Sequence, residues 1–224
     1  MNAPVITIDG PAGSGKGTIS QRVATALGWH LLDSGALYRL VGLALIRDGG
    51  GADDEARAAT LAERMQVVFQ PQGEGTLIWL DGSDVTEAIR TEAASAMSSQ
   101  MGAMPAVRRA LLARQRGFAQ APGLVADGRD MGTVVFPQAP LKIFLTASAE
   151  ERADRRHKQL KAKGESVNIA DLLRDLKARD ERDSQRAVSP LVPADDAVIV
   201  DTTGMGITEV TDRVLSLARE RGLF

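Results

Sequence analysis

Cysteine is absent from the 224-residue chain, and histidine occurs only twice. Disulfides, zinc–thiolate sites, iron–sulfur clusters and cysteine nucleophiles are therefore excluded. Aromatic residues make up 4% of the chain. Trp29, Trp79 and the five phenylalanines are too scattered to form a platform for stacking nucleic-acid bases. The longest apolar run, residues 40–46, is far shorter than the roughly 18 residues that a membrane-spanning helix requires.

Positive and negative charges are nearly equal in number. The chain has 27 Lys and Arg residues against 29 Asp and Glu residues, a formal net charge of −2. No overall field therefore attracts nucleic acid or anionic lipid. Residues 1–4 lack the basic start of a signal peptide, and no separate oligomerisation feature is visible. We expect a cytosolic monomer that acts on something small, with neither nucleic acid nor a membrane as partner.

Strand and helix signals alternate at both ends of the chain. Residues 4–8 form a short β-branched run, residues 16–27 have a helical pattern that Gly28 ends, and residues 29–32 indicate a second strand. Such alternation is typical of a parallel α/β sheet. A length of 224 residues then suggests one large domain, or one core with a substantial insertion.

The middle of the chain has a different pattern, which begins near the three glycines 49–51. Short strands joined by glycine-containing turns at 72–75 and 81–82 predict a small antiparallel insert. The strands are predicted at 66–70, 76–80 and 83–85, and the helices at 53–65, 85–101 and 105–119. Strands typical of the parallel core resume at 124–126, 141–145 and 197–200.

The sharpest motif is a glycine-rich loop between the first strand and the first helix. It comprises Gly10, Pro11, Ala12, Gly13, Ser14, Gly15, Lys16, Gly17 and Thr18. Glycines let backbone N–H groups converge on phosphate oxygens, and the following helix adds its positive N-terminal dipole. Lys16 can reach the β- and γ-phosphates of a nucleoside triphosphate, while a hydroxyl joins the Mg²⁺ shell.

One position departs from the simple phosphate-loop pattern, because Gly17 stands where Ser or Thr follows the lysine. Thr18, one residue later, supplies the hydroxyl by analogy with nucleotide kinases that carry Gly-Lys-Gly-Thr. The loop alone leaves a GTPase, an ATP-driven machine and a small-molecule kinase open. An Asn-Lys-x-Asp stretch that reads guanine is absent, so the rest of the sequence must supply an acceptor site.

Three polar clusters follow predicted strands or occupy a charged helix. They are residues 33–39, 127–133 and 179–186. The carboxyl ends of parallel strands are where such sheets bind ligands, and a carboxylate there, Asp127 or Asp33, can organise magnesium. Asp33 could equally cap the next helix. Arg179, Arg182, Asp183 and Arg186 share one helical face, although Arg179 and Asp183 could be an ordinary surface ion pair.

These motifs, in this order, resemble those of the bacterial-type, short-lid cytidylate (CMP) kinases. The resemblance rests on residues 10–18, 33–39, 126–135, 142–145 and 179–188 and extends over nearly the whole chain. It implies a P-loop kinase fold with a five-stranded parallel sheet flanked by helices. It also implies an acceptor-binding subdomain at about 35–108, with the insert at about 64–99, and a mobile lid at about 149–168.

The resemblance further implies a role for each matched residue. Residues 10–18 would bind ATP, and Lys16, Arg129 and Arg186 would be catalytic. The CMP-binding residues would be Ser34, Tyr38, Arg39, Ser99, Arg108, Arg129, Asp130, Arg179, Asp183 and Arg186. Of these, Ser34, Arg179 and Asp183 would surround the ribose, and Ser99, Arg108 and Asp130 would read the cytosine. Arg39 could instead cap the preceding turn.

The implied activity is transfer of the γ-phosphoryl group of ATP to CMP or dCMP. Concentrated arginines suit it, because donor and acceptor phosphates repel each other. The lid segment contains the cations Arg152, Arg155, Arg156, Lys158, Lys161 and Lys163. Solvated helices with i,i+4 ion pairs explain these charges equally well. A kinase for another acceptor, and a module that senses ATP without phosphoryl transfer, are the remaining alternatives.

Overall fold

A computed structural model describes residues 3–72, 75–162 and 164–224, which form two compact units. The first unit comprises Met1–Asp33 and Arg116–Phe224, and the second comprises Ser34–Gln115. The chain therefore leaves the first unit once and returns to it once. Lys163, and Gly73 and Glu74 of the predicted turn, lie outside the described residues.

The first unit is built on a five-stranded parallel sheet in the order β2-β6-β1-β7-β8. Its strands are β1 (Val5–Asp9), β2 (His30–Asp33), β6 (Leu124–Gly128), β7 (Leu141–Thr146) and β8 (Val198–Asp201). Its helices are α1 (Lys16–Leu27), α6 (Ala149–Ala162), α7 (Ile169–Ser184) and α8 (Ile207–Glu220). The predicted parallel sheet is confirmed.

The central position of β1 follows from its composition. All five of its residues, Val-Ile-Thr-Ile-Asp, are buried, as expected for a strand that is covered on both faces. Ile6 and Ile8 pack in a core that also contains Ile19 of α1 and Val214 of α8. The loops that follow β1 and β6 therefore start from neighbouring strands of the buried sheet.

The second unit combines helices with a three-stranded antiparallel sheet, β3-β4-β5. Its elements are α2 (Ser34–Arg47), α3 (Glu55–Arg64), β3 (Val67–Gln72), β4 (Gly75–Leu80), β5 (Ser83–Asp84), α4 (Glu92–Ala103) and α5 (Pro105–Arg116). The predicted short strands are thus present, with ends that differ by one or two residues. α2 packs against α4, where Gly42 leaves room for Met97.

The helix predicted at residues 85–101 is wrong in its first part. Thr86 instead completes a turn, because its N–H donates to Asp84 and its hydroxyl accepts from the Ile78 N–H. A short 3₁₀ helix, Ala88–Arg90, follows, and α4 begins only after Thr91, whose hydroxyl caps it by accepting from the Ala94 N–H. No helix in the described ranges is both long and apolar enough to cross a membrane.

Candidate active site

The loop between β1 and α1 has a backbone shape that requires glycine. Gly13 and Gly15 have φ values of 77° and 89°. Gly10 has a φ of 155°, and a Cβ there would lie 2.1 Å from the backbone oxygen of Leu145. No described side chain caps the start of α1 at Gly15, so its first N–H groups are available to phosphate oxygens. This is the geometry of a phosphate-binding loop.

Lys16 projects from the start of α1 into a largely buried, cationic setting. Its Nζ lies 3.9 Å from Oδ1 of Asp127 at the end of β6. Burial, followed by the nearby charge of Arg129, lowers the pKa of Lys16 to about 8, although Asp127 acts in the opposite direction. A bound phosphate anion would raise this pKa, because a nearby negative charge favours the ammonium form.

The residues around Lys16 fit a magnesium ion. Asp127 provides a buried carboxylate, Thr18 lies two residues along α1 from Lys16, and Asp33 is close enough to influence the pKa of Lys16. Hydroxyl and carboxylate oxygens are the ligands that Mg²⁺ prefers. A Cβ on Gly17 would lie 3.3 Å from Oδ2 of Asp127. The glycine that departs from the simple motif thus makes room for this carboxylate.

A second centre forms around Asp183, near the end of α7. Arg129 donates from Nε to its Oδ2 at 3.2 Å, and Arg186 donates from Nη2 to its Oδ1 at 2.5 Å. Arg179 Nε lies 3.9 Å from the same carboxylate. Burial acts to raise the pKa of Asp183, but the three guanidinium groups together hold it below its ordinary value. Asp183 therefore concentrates three positive charges in one place.

The structure excludes one of the two interpretations of the residue 179–186 face. The carboxylate of Asp183 is 1% exposed, so its pair with Arg179 is not an ordinary surface ion pair. Arg182 does not belong to this group, because it is exposed and donates to the Ala178 carbonyl of its own helix. Arg186 lies just beyond the end of α7 rather than within it.

Asp9, which the sequence did not single out, fixes the loop that carries Arg129 and Asp130. The N–H groups of Met131 and Gly132 donate to its two carboxylate oxygens at 2.9 and 2.8 Å. Burial raises the pKa of Asp9 to about 7, against the effect of these two hydrogen bonds. Asp130 is itself 2% exposed. The end of β1 thus holds the residues that follow β6.

Five of the residues that are predicted to bind CMP lie in the second unit. They are Ser34, Tyr38, Arg39, Ser99 and Arg108. The Arg108 guanidinium lies 5.6 Å from the centre of the Tyr38 ring, and its Nη1 donates to the Gly102 carbonyl at 3.0 Å. Ser34, at the start of α2, and Ser99, on α4, are both buried. The predicted site residues therefore form two groups, one in each unit.

The segment predicted as a lid contains α6, and two of its cations have contacts that are not expected of mobile residues. Arg152 is buried and donates to the Ala12 carbonyl of the phosphate loop. Arg155 donates to the Ser14 carbonyl and to Thr202. Lys158 and Lys161 are exposed, in keeping with solvated helix positions. No local pattern in the sequence distinguishes Arg152 from its exposed neighbours.

Comparisons with known proteins show which family the chain is similar to. Residues 6–220 match the family model for cytidylate kinase. The cytidylate kinase of Stutzerimonas stutzeri (strain A1501) is 59% identical over 98% of this chain and 97% of its own length. That of Marinomonas sp. (strain MWYL1) is 55% identical, with the same two coverages. That of Pseudomonas syringae pv. syringae (strain B728a) is 57% identical over 100% of this chain and 98% of its own length.

Solved structures support the fold. A gluconokinase from Sinorhizobium meliloti 1021 aligns with a TM-score of 0.50 at 18% identity, covering 98% of this chain and 94% of that chain. A protein from Eubacterium ventriosum ATCC 27560 gives a TM-score of 0.54 at 10% identity, covering 96% and 97%. At such identities the likeness concerns the fold alone, and it confirms the predicted P-loop kinase architecture. Together with the family match over residues 6–220, the identity to curated relatives shows that the chain belongs to the cytidylate kinase family.

Proposed function

We propose that the protein transfers the γ-phosphoryl group of ATP to CMP or dCMP, giving ADP and CDP or dCDP. The observation that carries this proposal is the pairing of two cationic centres in one compact unit. Lys16 belongs to a phosphate-binding loop, and Asp183 gathers three arginines. One centre suits the donor triphosphate, and the other suits a phosphorylated acceptor.

Arg129 connects the two centres. Its guanidinium is close enough to Lys16 to lower the pKa of that residue, and it also donates to Asp183. In the proposed reaction the loop N–H groups and Lys16 hold the donor β- and γ-phosphates, while Arg186 holds the acceptor phosphate. Arg129 then stabilises the phosphoryl group in flight, where negative charge is spread over three oxygens.

The transfer needs no general base from the protein. The attacking oxygen belongs to the acceptor phosphate, which is already an anion, so catalysis depends on in-line positioning and charge. Mg²⁺ bound with ATP would neutralise charge on the β- and γ-phosphates, and Thr18 with Asp127 or Asp33 would hold it. These ligands are proposed from their chemistry and from the space that Gly17 leaves beside Asp127.

The second unit is proposed to bind the acceptor nucleoside. Cytosine has a ring acceptor beside an exocyclic amine. Arg108 of this unit is a chemically matched donor to the ring acceptor, and in the first unit Asp130 is a chemically matched acceptor for the amine. Ser99 would add a hydroxyl to that edge, and Tyr38 would support the wall on which Arg108 packs. Ser34 would contact the ribose, and Arg39 would reach its phosphate. In the first unit, Arg179 and Asp183 are proposed for the ribose. Closure of a lid within residues 149–168, apart from the fixed Arg152 and Arg155, would exclude water.

The function is tested by incubating the purified protein with Mg·ATP and one of CMP, dCMP, UMP, AMP or GMP, then separating the nucleotides by anion-exchange chromatography. CDP and ADP should form in equal amounts, with far less product from the purines. Lys16→Ala should reduce turnover at least about 100-fold, because a charge that stabilises the transition state is lost. Lys177→Ala is the matched control, since Lys177 is exposed on α7 and forms an exposed ion pair with Glu150.

Other outcomes of this assay would contradict the proposal. ADP without a new diphosphate would indicate hydrolysis or a different acceptor, such as a small metabolite. Binding of ATP without turnover of any acceptor would instead indicate a module that senses ATP. Equal activity with purine monophosphates would show that Arg108 and Asp130 do not select the base.

A further inference from the structure

Arg152, in the first turn of α6, joins three separate segments of the first unit. Its Nε donates to the Ala147 carbonyl just after β7 at 3.1 Å, and its Nη1 donates to the Ala12 carbonyl at 3.0 Å. Its Nη2 donates to Oδ2 of Asp180 on α7 at 2.5 Å. The side chain is 6% exposed. Because guanidinium donors lie in one rigid plane, these three acceptors are held in fixed relative positions.

In the phosphate loop, Arg152 sets the orientation of one peptide group. The carbonyl of Ala12 and the N–H of Gly13 belong to one trans peptide, so they point in opposite directions. Because the Ala12 carbonyl points towards Arg152, the N–H of Gly13 points away from Arg152. A Cβ on Gly13 would lie 3.1 Å from the Cβ of Arg152, so the loop packs directly on this side chain.

Arg152 also binds a residue of α7, the helix that carries Arg179 and Asp183 of the arginine centre. Asp180 follows Arg179 directly and precedes Asp183 by three residues on α7. The other oxygen of Asp180, Oδ1, is buried and has no hydrogen-bond partner in the described part of the chain. The hydrogen bond to Arg152 is thus the contact through which the Asp180 side chain is fixed.

We propose that the Arg152–Asp180 ion pair couples binding at the phosphate loop to binding at the arginine centre around Asp183, with both residues acting as positioning residues. The inference rests on the proposed function, since it takes ATP as the ligand of the loop and CMP as the ligand of that centre. A phosphate that orders the Ala12–Gly13 peptide also fixes Arg152. Arg152 in turn fixes Asp180 and the neighbouring Arg179 and Asp183.

Such coupling is reciprocal, because each ligand must tighten the other by the same factor. The test is calorimetric titration of CMP in the absence and presence of Mg²⁺ and the β,γ-imido analogue of ATP, followed by the converse titration. In the wild-type protein each nucleotide should tighten the other at least about fivefold. In Asp180→Ala each nucleotide alone should bind within about twofold of wild type, and the coupling factor should fall close to one.

Two further variants separate positioning from simple structural support. Lys177→Ala is the matched control, because Lys177 and Glu150 form an exposed ion pair, 3.2 Å long, between the same two helices. It should keep the wild-type coupling factor. Asp180→Asn retains a neutral acceptor for Arg152 and should give an intermediate factor. Thermal unfolding of each variant checks that the fold is intact.

The inference is overturned if the wild-type coupling factor is close to one, or if Asp180→Ala retains the wild-type factor. It is also overturned if Asp180→Ala and Asp180→Asn weaken both nucleotides alone to the same extent, since that pattern marks a purely structural role. Failure of the proposed function has a different signature. Wild-type protein would then neither bind CMP nor convert it to CDP, whichever residue occupies position 180.

Discussion

Replacing Asp183 by asparagine should destabilise the protein at neutral pH. The buried carboxylate accepts hydrogen bonds from Arg129 and Arg186 and lies 3.9 Å from Arg179 Nε. Removing one partner of a buried ion pair typically costs about 3 to 5 kcal/mol. The Arg129 and Arg179 side chains are 18% and 20% exposed, so water compensates part of the loss. We therefore expect a loss of about 3 kcal/mol in the free energy of unfolding.

This loss in the free energy of unfolding can be measured as a decrease in Tm. For a chain of this size, about 3 kcal/mol corresponds to a decrease in Tm of roughly 6 to 12 °C. Circular dichroism at pH 7 would measure it. Asp154→Asn is the control, because Asp154 forms an exposed i,i+4 pair with Lys158, and its loss should cost less than about 0.5 kcal/mol.

The dependence of this difference on pH tests the physical cause. Three guanidinium groups hold the pKa of Asp183 below its ordinary value even though burial acts to raise it. Its stabilisation is therefore complete above the ordinary carboxyl pKa, near 4, and is lost as the pH falls below it. The Tm difference between wild type and Asp183→Asn should shrink as the pH falls from 5 towards 3. Equal Tm values at pH 7, or a deficit that stays constant down to pH 3, would refute the reasoning.

Two further predictions concern Asp9 and Gly42. Burial raises the pKa of Asp9 to about 7, so the folded state favours its protonated form, and its contribution to stability declines as the pH rises from about 4 to 7. An NMR titration of its carboxyl carbon should have a midpoint near 7, and a midpoint near 4 would contradict this prediction. In Gly42→Ala the new Cβ would lie 2.1 Å from Met97 Cγ, and such overpacking should cost about 1 to 3 kcal/mol. Chemical denaturation should show that Met97→Ala makes this substitution less costly, and strictly additive effects would indicate that the two side chains do not meet.

Features encoded by neighbouring residues could be predicted from the sequence. The first helix begins at Lys16 and ends at Leu27 as predicted, because a glycine-rich loop precedes it and Gly28 adopts the left-handed conformation that ends helices. The helix expected from Val85 failed for an equally local reason. A turn built by Thr86 competes with the helix there, and apolar periodicity does not reveal it.

Contacts between distant segments could not be predicted in the same way. The pairing of Arg179 with Asp183 was visible as an i,i+4 spacing, whereas its burial depends on Arg129, more than fifty residues earlier. The same holds for Asp9 with Met131 and for Arg152 with Asp180. A charged residue in a polar helix suggests solvent exposure unless its distant partner is known.

The strand order β2-β6-β1-β7-β8 has a consequence for how the protein is made. Val5 of β1 pairs with Leu124 of β6, and Ile6 pairs with Leu141 of β7. A ribosome that has synthesised the chain only as far as residue 120 has thus released the complete phosphate-loop sequence without either neighbour of its strand. Ser34–Gln115, by contrast, is by then already synthesised as a whole unit. The earliest-made motif of this enzyme therefore acquires its working shape only after more than half of the chain exists.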